Sequence, residues 1–163
     1  MPRVRHRKQG WYSFGLIETM KTLLALFVLS FFVGNSYAER QNVSREMVHA
    51  SLLARQGSLP QSTGYCWRFV KKALVKAGAV KSYPKTNLAC EAGKELVEVY
   101  GFKKLRVSSP WKAPVGSVLV YAANSRYRAG HVEIRGSNDF ISDYRGRRPA
   151  AFRFIGAYAR VES

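Results

Sequence analysis

One cysteine stands where a helix should begin, in Gly64-Tyr65-Cys66-Trp67-Arg68-Phe69-Val70. One histidine stands 65 residues later in the strand-like run Ala129-Gly130-His131-Val132-Glu133-Ile134. A thiol attacks a carbonyl as its thiolate, and both a helix N-terminus and a neighbouring imidazole favour that form, in known cases down to pKa values of about 3.5–7.5. Cysteine on a helix start and then histidine on a strand is therefore the residue order of a thiol hydrolase. His131 and Glu133 are two apart, so on a strand they share one face, the face that would meet the start of the Cys66 helix. A turn over residues 136–139 would return Ile141-Ser142-Asp143-Tyr144 antiparallel beside that strand and bring Asp143 near His131. Thiol catalysis needs a base within hydrogen-bond reach of sulfur and a third group that holds the imidazole tautomer. Cys66 as nucleophile and His131 as base, with Asp143 or Glu133 as the orienting carboxylate, would supply both.

The elements that must position these groups divide into helices first and strands second. Residues 42–57 predict a helix capped by Ser44, with Met47, Leu52 and Leu53 and the small Ala50 and Ala54 on its apolar side. After a loop containing Pro60, Cys66, Phe69, Val70, Ala73, Leu74 and Ala77 recur at helical spacing, with Ser62 or Thr63 to cap that helix and Gly78 to stop it. A third helix follows Tyr83-Pro84-Lys85, capped by Thr86 or Asn87 and ended by Gly101. Beyond it, residues 104–107, 117–121, 130–135, 140–144 and 151–161 are β-favouring runs separated by prolines and glycines. That order predicts an α+β fold with helices packed on an antiparallel sheet of about five strands.

The chain opens with a basic stretch, and Met20-Lys21 is followed by the apolar run Leu23 to Val33 and by Ser36-Tyr37-Ala38. This is the pattern of a secretory signal peptide over residues 1–38, with Met20 the expected true start, because the apolar run is shorter than the ~20 residues a spanning helix needs. Cleavage after Ala38 would remove five basic residues (Arg3, Arg5, Arg7, Lys8, Lys21) and one acidic residue (Glu18), so the formal charge of +17 becomes +13. Residues 39–61 then form an N-terminal helix and loop, and 62–163 a catalytic domain. A cationic exported chain is drawn to polyanions, here peptidoglycan or another anionic cell-wall polymer. Its bases are scattered, with no block of five like charges, which argues against a specific nucleic-acid site. The expected product is a secreted or periplasmic monomer with no stable membrane insertion.

Four segments in order resemble the cysteine, histidine-dependent amidohydrolase/peptidase (CHAP) family within the NlpC-type superfamily. They are the Cys66 segment, Ala113-Pro114-Val115-Gly116-Ser117-Val118-Leu119-Val120-Tyr121, Gly130-His131-Val132-Glu133-Ile134 and Ile141-Ser142-Asp143-Tyr144, and the likeness covers roughly residues 62–161. The resemblance implies a papain-like core and hydrolysis of amide bonds in bacterial peptidoglycan, with Cys66 as nucleophile, His131 as base and Asp143 at the family's acidic position. On that ground Asp143 ranks above Glu133. The chain departs from the pattern at Arg145, where CHAP sequences often carry Asn, and at Tyr65 and Trp67-Arg68 around the nucleophile.

No CxxC pair, His-Glu-x-x-His helix, phosphate-cradling glycine loop or Gly-x-Ser-x-Gly elbow occurs, so neither a metal nor another cofactor is expected. The rival reading is a non-catalytic cationic wall-binding or interaction protein on the same fold. In it Cys66 and Cys90 would form the disulfide that an exported chain permits.

Overall fold

Amphipathic spacing and terminal residues produce the helices. The computed structural model describes residues 42–162, so the leader pattern lies outside the described residues. Helix α1 (Arg45–Gly57) buries Met47, Ala50, Ser51 and Ala54, a three-and-four spacing that makes one inward stripe. Leu52, expected on that side, is 53% exposed instead. Helix α2 (Cys66–Lys76) buries Cys66, Trp67, Val70, Lys71, Ala73 and Leu74. It stops at Gly78, whose φ of 74° is the left-handed conformation that ends helices, while the Ala79 N–H returns to the Leu74 carbonyl at 3.0 Å. Helix α3 (Ala92–Tyr100) follows a short 3-10 turn (Ala89–Glu91) and ends at Gly101, also left-handed.

The strands are β1 (Lys103–Lys104), β2 (Val118–Tyr121), β3 (His131–Arg135), β4 (Phe140–Ile141), β5 (Arg145–Gly146) and β6 (Phe154–Ala159). They form one antiparallel sheet in the order β1-β6-β2-β3-β4-β5, so the last strand is inserted between the first and second. The fold is α+β, as the helices-then-strands order predicts, with six strands in place of about five. The additional strand arises because the 140–144 run breaks after Ile141. The chain bends at Ser142 and Asp143, and Arg145–Gly146 folds back on β4.

The core between helices and sheet is apolar and fully buried at Met47, Val70, Leu74, Leu96, Val118, Val120, Val132 and Ile134. At this burial each aliphatic side chain contributes about 1.5–3 kcal/mol, so β2, β3 and α2 form a firm floor beneath the groups at their ends. Pairing of β2 with β3 sets Tyr121 opposite His131 and Leu119 opposite Glu133. On its other edge β2 has a register shift against β6 between Val120 and Tyr121, an irregularity of the kind that re-aims a side chain. Among the described residues no helix is long and apolar enough to cross a membrane.

Candidate active site

Cys66 is the first residue of α2, on a helix whose N-cap position is held by Tyr65 without any side-chain cap. The first-turn N–H groups of any α-helix have no intrahelical acceptor, so the start of α2 presents donors and a positive dipole end beside the sulfur. Cys66 is 8% exposed, and both cysteines are free. The Cys66–Cys90 disulfide of the wall-binding alternative is not formed in this structure.

His131 begins β3, and its position depends on the glycine before it. Gly130 has φ 72°, and a Cβ there would lie 2.7 Å from both the Cys90 Cβ and the Tyr121 carbonyl oxygen. Only glycine allows this approach. The imidazole stacks on Phe152, with centroids 5.5 Å apart and an interplanar angle of 11°, and Tyr121 tilts against it at 5.9 Å. Glu133 Oε1 lies 3.4 Å from His131 Nε2, an ion-pair distance whose angle does not make a hydrogen bond. Burial opposes the imidazolium. The interactions of Cys66 and then of Glu133 with the ring outweigh it and raise the His131 pKa from 6.5 to about 9.

Glu133 is held in turn. Its Oε2 accepts from the Tyr121 hydroxyl at 2.8 Å and its Oε1 from the Ala150 N–H at 3.1 Å. Burial first, and then the charge and hydrogen bond of Glu133, push the Tyr121 phenol far above its ordinary range, so it remains a donor to the carboxylate. Cys66, His131 and Glu133 thus form one chain of contacts with a second layer of Tyr121, Phe152 and the Ala150 backbone. Phe152 and Ala150 carry no sequence signal, since their roles come from a loop folding back over β3.

Asp143 is held by other partners. β4 ends at Ile141, so Asp143 lies beyond its ladder with β3, and its carboxylate bonds go to the loop before α2 and to Ser142. Its Oδ2 accepts from Thr63 N–H, from Ser62 Oγ at 3.1 Å, Thr63 Oγ1 at 3.0 Å and Tyr65 N–H at 3.3 Å, and its Oδ1 from Ser142 Oγ at 3.1 Å. Its carbonyl accepts from Leu59 N–H at 2.8 Å. Burial would raise its pKa, but the bonds from Thr63, Ser142 and Ser62 prevail and hold the carboxyl below the usual range. Ser62 and Thr63, expected to cap α2, bind this carboxylate instead. Asp143 therefore ties down the loop that delivers Cys66, while Glu133 is the carboxylate beside the imidazole.

A groove of about 340 Å³ opens at Cys66, lined also by Tyr65, Trp67, Arg68, Lys71, Tyr83, Asn87 and Ala89. Among the described residues no group of three or more metal-ligating side chains comes together.

An α+β fold with a cysteine at a helix start against a histidine on the sheet defines the structural class. No protein-family model matches the chain, and no curated protein does, so the CHAP resemblance stands on the quoted segments alone. Two solved structures are similar. One chain of the type VI native effector-immunity complex Tae3-Tai3 from Ralstonia pickettii matches at 23% identity and TM-score 0.58, over 71% of this chain and 98% of that one. A chain of the selenomethionine form of that complex matches at 24% identity and TM-score 0.54, over 68% of this chain and 98% of that one. At these identities the likeness carries the fold.

Proposed function

We propose that this chain is an exported amidase or endopeptidase that cleaves amide bonds of peptidoglycan by a thiol mechanism. The observation that carries the proposal is His131 placed close enough to Cys66, the first residue of α2, for the thiol to raise its pKa, with Glu133 3.4 Å from its Nε2. His131 takes the thiol proton and the thiolate attacks the carbonyl carbon. The oxyanion is received by N–H groups at the start of α2, and the imidazolium protonates the departing amine. Water, deprotonated by His131, then attacks the thioester, releasing the carboxylic acid and restoring the thiol. A raised His131 pKa suits the step in which the imidazolium must hold its proton until the amine leaves.

The choice of peptidoglycan is supported by the CHAP-like segments and by the charge of +13 after removal of the leader, which favours anionic wall polymers outside a cytoplasm. The similar structures are named as effector-immunity complexes, and the thiol site of this chain suits the effector role. A partner that covers the Cys66 groove belongs to the same proposal.

The test is digestion of purified peptidoglycan by the chain from Glu39 onward, reading new amine ends. We expect release by the native chain and none by Cys66→Ser. Equal release by both would overturn the thiol mechanism, and no release by either the hydrolase assignment.

A further inference from the structure

Lys71 is 5% exposed, yet it is one of the residues that line the groove at Cys66. One N–H meets the Thr86 carbonyl at 2.5 Å, and the Nζ lies 5.2 Å from the Trp67 ring centroid and 5.0 Å from that of Tyr83. None of the ion pairs among the described residues includes Lys71. Glu95 acts on it electrostatically, but the Glu95 oxygens accept from the N–H groups of Lys85 at 2.5 Å and Thr86 at 2.9 Å. Burial holds the ammonium below the usual lysine range, with Glu95 only partly opposing. Arg68 adds a second cation at the rim, 5.0 Å over Tyr65, and no Asp or Glu lines the groove.

A buried charge is strongly unfavourable unless it is paired. The Thr86 carbonyl and two aromatic faces soften that cost without neutralising it. An ammonium has three donors, and a carboxylate is the partner that both neutralises it and accepts its hydrogen bonds. We propose that this groove is a carboxylate subsite: the acyl-donor peptide carries a free carboxylate that pairs with Lys71, while its apolar portion lies against Trp67 and Tyr83. The subsite deepens the proposed hydrolase function and rests on it for its place next to the reacting carbonyl. Arg68 contributes attraction from the rim, and Lys71 sets specificity.

Binding is measured on Cys66→Ala protein, so that no turnover intrudes. The probes are two short synthetic peptides identical except that one carries a free glutamyl carboxylate and the other its amide. The reporter is the NMR signal of the Trp67 indole N–H, which donates to the same Thr86 carbonyl as Lys71, at 3.0 Å. We expect the acidic peptide to bind about tenfold tighter or more and to shift the Trp67 signal. Lys71→Met should bring the two affinities together, and Arg68→Gln should weaken the acidic peptide by a smaller factor. Equal affinities for both peptides, or an acidic preference that persists in Lys71→Met, overturn the subsite. If Lys71→Met fails to fold, the affinity ratio on Cys66→Ala and its change in Arg68→Gln still decide. Cleavage of both peptides by the native chain without preference sinks the subsite and leaves the hydrolase. Preference on Cys66→Ala without cleavage by the native chain does the reverse.

Discussion

Replacing Glu133 by Gln while holding Cys66 as Ala isolates what the carboxylate does to His131. In that background the sulfur no longer contributes, and Gln keeps the size of Glu133 and an oxygen for the Tyr121 hydroxyl. A unit charge 3.4 Å from Nε2 acts with about 5 kcal/mol at an effective dielectric near 20, a ceiling of about 3.6 pKa units. The full rise from 6.5 to about 9 is shared between Cys66 and Glu133 after burial has been overcome. The share of Glu133 should therefore be ~1–2 units, or about 1.4–2.7 kcal/mol. Titration of the His131 ring protons by NMR should show that drop between Cys66→Ala and Cys66→Ala/Glu133→Gln. In the active chain the alkaline limb of the pH-rate profile should move toward neutrality by a similar amount. The sign for stability follows from the folded value exceeding the unfolded one. His131 stabilises the fold fully below pH 6.5 and loses that contribution as pH rises through about 9. A change below ~0.3 unit, less than about 0.4 kcal/mol, would refute the assignment of Glu133 as the group that holds the imidazole.

Iodoacetamide near neutral pH should alkylate Cys66 before Cys90, and His131→Ala should slow that labelling; mass mapping that finds only Cys90 modified would exclude Cys66 as the nucleophile. Asp143→Asn should cost about 1.5–3 kcal/mol in denaturant unfolding through its charge-assisted bonds, while leaving the His131 titration in place. Because the folded Asp143 pKa is lowered, its contribution is present above the unfolded value near 3.9 and disappears as pH falls through the folded one, visible as an acid-limb shift in the Asn variant. Gly130→Ala should destabilise by about 1–3 kcal/mol from the left-handed backbone alone, with a further loss from the contact with Cys90, and a wild-type melting temperature would contradict it. Export with cleavage after Ala38 should give secreted protein whose N-terminal sequence starts at Glu39.

What local patterns encode was legible in the chain. The apolar spacing of α2, its glycine stop and the runs of β2 and β3 predict their elements closely, and two-residue alternation places His131 and Glu133 on one face. The place of Asp143 depends on where β4 stops, which is decided by the loop before α2 pairing with the bend at 142–144, some 80 residues away. No periodicity contains that. β5 was hidden for the same reason, as the break that frees Asp143 also creates the strand. Lys71 was unreadable as a buried charge because lysine sits on a helix without disturbing its pattern, and the segment around Thr86 that covers it is remote in sequence. Leu52 shows the converse: an apolar residue at a position the spacing places on the inward side stays 53% exposed.

The bond network from Asp143 to the loop before Cys66 also has a consequence in time. Thr63 leaves the ribosome 80 residues ahead of the carboxylate that fixes it, an interval of roughly 4–16 s at about 5–20 residues per second. His131 and Glu133 arrive within the same late stretch, and β6 must still insert between β1 and β2 before the sheet is whole. The nascent chain thus carries Cys66 long before it carries His131 and Glu133. Bringing Cys66, His131 and Glu133 together depends on this late stretch, and a truncated product lacking β6 and the Phe152 loop would keep Cys66 and its Asp143 tether but lose the Phe152 ring stacked on His131 and the Ala150 N–H that holds Glu133.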